Sequence, residues 1–91
     1  MIAAVVMIRA QREHIPDAAQ AIADIEGVAE VYSVSGEWDL IAILRVTEWE
    51  RIATVVTEHF AKVQGIDRTQ TLVAFRVYSQ RDVESAFDMF Q

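Results

Sequence analysis

The sequence contains no cysteine, one proline and three glycines, and a single lysine, Lys62, stands among its eight basic residues. Each scarcity removes a class of function. Without cysteine there is no disulfide framework, no thiolate metal ligand and no thiol nucleophile. With 14 acidic residues against 8 basic ones, a net charge of −6, the chain is a poor match to a phosphate backbone, where binding depends on Lys and Arg displacing counterions. The apolar opening, "MIAAVVMIRA", is too short to cross a bilayer and is interrupted by Arg9. It also lacks the basic leader of a secretory signal. The expectation is a cytoplasmic protein with no direct nucleic-acid partner and no membrane partner.

Catalytic motifs are equally scarce. No HExxH, CxxC, phosphate-cradling glycine loop or GxSxG elbow occurs. His14 and His59 are 45 residues apart and read as solvated or helix-flank residues. Glu48, Glu50 and Glu58 read as a cap and a solvated helix face. No catalytic residue, metal site or cofactor is expected.

What the chain has in surplus is apolar material: 53% of 91 residues, with positive mean hydropathy. A single domain over 1–91 is expected. A domain of this size buries only about 60–65% of its unfolded surface, so the surplus points to association. Residues 2–10 are apolar, partly β-branched and short, which predicts a strand. Pro16 fits a first helical turn, and Ile15, Ala19, Ile22 and Ile25 recur at helical spacing up to Gly27. A second strand is predicted over 28–35, a hairpin turn at Gly36 and Glu37, and a third strand over 38–46. "TEWERIATVVTEHFAKVQG" is the clearest helix, with Thr47 and Glu50 as a capping box and Trp49, Ile52, Ala53, Val56, Phe60 and Val63 as its stripe. A fourth strand is predicted over 67–80, and the tail "RDVESAFDMFQ" is expected to form a short helix with Phe87 and Phe90 on one face.

This order, β-α-β-β-α-β, is an α+β ferredoxin-like sandwich with an antiparallel sheet in the order 4-1-3-2 and both helices on one face. The other face decides the assembly. Val5, Met7, Ile41, Ile43, Leu72 and Ala74 point away from the helices, ringed by Arg9, Arg45 and Arg76. Antiparallel sheets covered on one side normally alternate apolar-in, polar-out, and an apolar patch left in water is unusual for a monomer. Covering several hundred Å² at about 25 cal/mol per Å² is worth on the order of 10 kcal/mol gross, much of it offset by association costs. Two sheets are therefore expected to pack face to face in a dimer, and the tail helix could link dimers into a ring.

Two segments are candidates for ligand binding. In "SGEWD", Ser35, Gly36, Glu37, Trp38 and Asp39, the glycine lets backbone N–H groups approach an anion and the carboxylates could meet an ammonium. In "RTQT", Thr69 and Thr71 offer hydroxyls on one side of the last strand. Gly-Glu is equally a serviceable hairpin turn, and Thr a good strand residue.

These same stretches carry a family resemblance. "GVAEVYSVSGEWDLIAILRV" resembles the hairpin of the Lrp/AsnC effector domain, the RAM domain: Gly36 and Asp39 match its G-x-x-D, and Trp38 stands where an aromatic is frequent, although Glu26 replaces the usual proline before Gly27-Val28. "VQGIDRTQTLVAFRV" is similar to the family's last strand, through Gly65, Ile66, Arg68, Thr69 and Thr71. The likeness covers essentially the whole chain. Because Met1 opens directly onto the first strand, it points to a stand-alone RAM domain lacking the helix-turn-helix. The resemblance implies a sheet-to-sheet dimer building octamers or other rings, and an amino acid or related metabolite held between dimers by Ser35, Gly36, Glu37, Trp38 and Asp39 with Thr69 and Thr71 across an interface. It implies no enzymatic activity, and it suggests a full-length Lrp/AsnC regulator as partner. Three other readings remain: a pure assembly scaffold; a dimeric αβ-barrel enzyme of the cofactor-free monooxygenase type; and an ACT-like domain, disfavoured because "QREHIPD" has no glycine. The enzyme reading needs a closed cavity with a polar group inside, and a deep pocket lined by His14 or His59 would favour it.

Overall fold

The computed structural model describes residues 1–78 and 80; the expected tail helix lies outside them. Strand β1 runs over Ile2–Ala10, helix α1 over Ile15–Ala23, β2 over Val28–Ser33 and β3 over Leu40–Val46. Helix α2 covers Trp49–Thr54, and β4 covers Ile66–Val73. The strands form one four-stranded sheet in the order β2-β3-β1-β4, antiparallel at every pairing. This is the expected ferredoxin-like order read from the other edge.

The two-residue period of β1 and β3 explains the layers. Ala4, Val6 and Ile8 of β1 and Leu40, Ala42 and Leu44 of β3 are fully buried, against Ile22 of α1 and Val55 beyond α2. Pro16 sits in the first turn of α1 and Asp17 follows it, as helix starts favour.

The opposite side of the sheet forms rows that the register defines. One row is Glu30–Ile43–Val5–Leu72, and the next is Tyr32–Ile41–Met7–Gln70. Val5, Met7, Ile41 and Ile43 are only half-buried there, and Leu72 is 48% exposed. No element among the described residues covers them. Arg9 and Arg45 stand exposed on this face as expected, and Arg45 meets Glu30 at 3.9 Å. The neighbouring Glu30 carboxylate holds the Tyr32 phenol above its ordinary range.

Four expectations are corrected. The fourth strand ends at Val73, not at 80. Val73 pairs with Ala4 and Ala74 N–H donates to Ala3 O at 2.9 Å, after which β1 has almost no residues left to pair. Phe75 is therefore fully exposed, with Val77 and Tyr78 largely so, and Ala74 and Arg76 lie beyond the strand. The second helix is not continuous: α2 passes into a π turn over Val55–His59 and a 3-10 turn over Phe60–Lys62. The Thr47–Glu50 capping box does not form. Extended Glu48 precedes the helix, with no side-chain cap, and Trp49 is 61% exposed at the helix start. The second strand ends at Ser33 and the third begins at Leu40. A register shift between Val28 and Glu30 absorbs one residue, and 34–39 form a loop in place of the two-residue turn.

Candidate functional site

The loop that holds most of the candidate residues is tied down at its base. Val34 N–H donates to Asp39 O at 3.0 Å, and Asp39 N–H donates to Ile8 O at 2.9 Å. The Asp39 carboxylate accepts from Ala10 N–H at 2.9 Å through Oδ2. That bond lies beside the bulge between Arg9 and Ala10, where the ladder leaves an amide without a strand partner. Asp39 thus holds the loop to the end of β1. Asp39→Ala is expected to cost about 2 kcal/mol, because it strands a partly buried N–H and removes a charge-assisted bond. A thermal melt reads this as a midpoint roughly 10 °C lower. An unchanged midpoint would show that the carboxylate does not anchor the loop.

The tip is free by comparison. Ser35, Gly36 and Glu37 are exposed. Gly36 has φ +105°, with no atom within 4 Å of where a Cβ would stand. The glycine meets the backbone requirement of the turn and leaves open space around it.

Alternation along the third strand predicts Trp38 on its helix-side face. Trp38 lies before the strand instead, with the Arg68 guanidinium 5.4 Å from its ring centroid, a cation–π distance. This contact spans β1, since Arg68 pairs with Arg9 on β1. It brings the loop and the start of β4 together within one protomer. Arg68 opens the candidate stretch "RTQT" but is not among the residues expected to bind; its place beside Trp38 is what the structure adds. Its signal, an arginine beside an exposed aromatic loop, becomes legible only once the register is known. Thr69 and Thr71 pair with Ile8 and Val6, so they share the helix side of the sheet, with Thr69 exposed and Thr71 half-buried. Thr69 lines a groove of about 220 Å³ with Phe60, Ile66 and Arg68. The described protomer therefore gathers residues 35–39 and Arg68 at one end of the sheet, and turns Thr69 and Thr71 to the helix side of β4.

The two histidines share one groove. His14 and His59 line a groove of about 330 Å³ with Asp17, Ile25, Lys62 and Val63. It opens between α1 and the end of the second helical segment, outside the sheet–helix core. That core is filled by aliphatic side chains, and among the described residues it buries no polar side chain. No cluster of potential metal ligands occurs among them either, and none of their helices is long and apolar enough to cross a membrane.

Comparison with known proteins agrees with this architecture. The model for the Lrp/AsnC ligand binding domain matches residues 3–84. An uncharacterized HTH-type transcriptional regulator of Pyrococcus horikoshii is 39% identical over 59 residues, which are 65% of this chain and 39% of that protein. A counterpart in Pyrococcus furiosus is 37% identical over the same shares. The chain spans about 39% of the length of these curated relatives. The crystal structure of TTHA0845 from Thermus thermophilus is 42% identical, covers 88% of this chain and all of its own, and has a TM-score of 0.83. The fold alone is shared with E. coli AsnC, at 16% identity and a TM-score of 0.79 over 88% of this chain and 54% of that one. The same holds for a Neisseria meningitidis transcriptional regulator solved with L-Met, at 14% identity and a TM-score of 0.76 over 87% and 53%. The curated relatives are named as transcriptional regulators, and the matched domain is a ligand-binding one. With the family model covering nearly the whole sequence and the sheet order matching, the chain belongs to the Lrp/AsnC ligand-binding domain family.

Proposed function

We propose that this chain is a non-enzymatic sensing and assembly module that binds a small amino acid or related metabolite between copies of itself and so shifts its oligomeric state. It acts in the cytoplasm in concert with a full-length Lrp/AsnC regulator. The observation that carries the reading is the uncovered apolar sheet face, Val5, Met7, Ile41 and Ile43. A second sheet would cover it, giving a dimer, and dimers would join into an octamer or another ring. Effectors then bind at the seams. The exposed tip Ser35–Gly36–Glu37 with Trp38 is suited to a seam site, and Thr69 and Thr71 would meet such a ligand from a neighbouring copy. Asp39 supports that site by fixing the loop base.

Titration calorimetry against an amino-acid panel, paired with solution mass in the presence and absence of each compound, tests this. A bound amino acid that changes the mass is expected, and Glu37→Gln should weaken it on the order of tenfold by removing the carboxylate available to an ammonium. If no amino acid binds while the assembly persists, the chain is a scaffold and the sensor reading fails.

A further inference from the structure

Three features converge on the groove between α1 and the end of the second helical segment. The first is the π turn Val55–His59. Such turns are rare and frequently mark functional sites; this one ends on His59, which faces the groove. The second is Gly65. A Cβ there would collide with the Cβ and ring of His14, so the glycine allows the imidazole to lie against the turn before β4. Gln11 N–H locks the same contact by donating to Gly65 O at 2.8 Å. The third is Lys62, the only lysine in the chain, which lines the groove beside both histidines. Among the described residues, the side chains of His14, Asp17, His59 and Lys62 make no hydrogen bond or ion pair with one another or with other groups. Asp17 and Lys62 each occupy helix ends that suit their charge. That preference does not account for both histidines and the lysine sharing one groove with an apolar floor.

We infer that this groove is a second ligand site, contained within one protomer and separate from the seam site, that binds a small aliphatic carboxylate. The ligand carboxylate lies between the Lys62 ammonium and the imidazole N–H groups, and its hydrocarbon tail lies on Ala18, Ala21, Ile25 and Val63. At about 330 Å³, the groove is at the small end of ligand pockets, a size that suits a small acid. Two sources share this chemistry, an α-amino acid and a 2-oxo acid. Asp17 at the rim distinguishes them, because only the amino acid brings an ammonium for its carboxylate.

The test is an NMR titration of the intact chain with L-leucine and, separately, 4-methyl-2-oxopentanoate, read at the imidazole C–H resonances. Both histidines are expected to shift saturably with a Kd roughly in the millimolar range. Lys62→Gln should weaken binding on the order of tenfold, whereas Trp38→Ala in the hairpin loop leaves the shifts intact. Weakening of leucine alone by Asp17→Asn assigns the amino acid as ligand, and equal binding of both probes assigns the carboxylate as sufficient. Silence of both imidazoles at about 50 mM of either probe, shifts indifferent to Lys62→Gln, or their loss in Trp38→Ala would overturn the site. The seam reading is judged separately by calorimetry on the Lys62→Gln chain.

Discussion

Val5→Lys is expected to dissociate the assembly while leaving the protomer folded. Val5 occupies the middle of the row Glu30–Ile43–Val5–Leu72, paired with Ile43 on one side and Leu72 on the other. Both neighbours are apolar, so an ammonium placed there has no carboxylate directly opposite it. In the isolated protomer that face is open and half-buried at most, and a lysine can extend into water along its aliphatic stem. In a face-to-face dimer the same ammonium is enclosed without a partner. Leaving a buried charge unpaired costs about 3–5 kcal/mol, which weakens association by roughly 10²- to 10⁴-fold. Sedimentation equilibrium at micromolar concentration should show wild-type dimers or larger rings and monomers of Val5→Lys, with unchanged far-ultraviolet circular dichroism. Equal masses for the two proteins would rule out the sheet face as the interface. A monomeric wild type would do the same and would remove the seam site with it.

That face is legible in the amino-acid sequence because it depends only on alternation. In β1 and β3, every second residue from Ala4 to Ile8 and from Leu40 to Leu44 is fully buried, and the intervening Val5, Met7, Ile41 and Ile43 are apolar too. A period of two with both phases hydrophobic reads directly as a sheet needing cover on both sides. The end of β4 is not legible in the same way, because "LVAFRV" alternates well enough to continue. What stops the strand is the length of its neighbour: the pairing Val73 to Ala4 leaves too little of β1 to extend the ladder. Strand propensity is a local signal, and strand length is settled by pairing.

The second helix shows the same limit. Its apolar stripe places Ile52 and Phe60 correctly in the core, but a stripe does not distinguish i→i+4 turns from the π and 3-10 turns that follow Thr54. The candidate site is legible as segments and not as geometry. Gly36 and Asp39 stand out by residue type. Nothing in their local pattern indicates that the Asp39 carboxylate is taken up by Ala10 N–H, nor that Trp38 crosses the end of β1 to reach Arg68. Both contacts join residues about 29–30 positions apart, and such pairings follow from the fold.

The contact between His14 and Gly65 supplies the second large effect, and a double-mutant cycle separates its two causes. Gly65 has φ +95°, a region where an L-residue costs about 1–2 kcal/mol. Independently, the Cβ of an alanine would collide with the Cβ of His14. That atom cannot swing aside, because His14 leads into α1 and Gln11 N–H is bound to Gly65 O. Overpacking of this kind costs about 1–3 kcal/mol. Gly65→Ala should therefore destabilise the chain by about 2–5 kcal/mol, seen in urea unfolding as a lower midpoint with little change in slope. In a His14→Gly background the collision has no partner and only the backbone cost remains, so the same substitution should cost about 1–2 kcal/mol. The difference between the two legs is the coupling between these residues. A coupling near zero would mean that the turn before β4 rearranges to accept the methyl group. His14 would then not be held against that turn, and the groove it lines would lose its fixed wall.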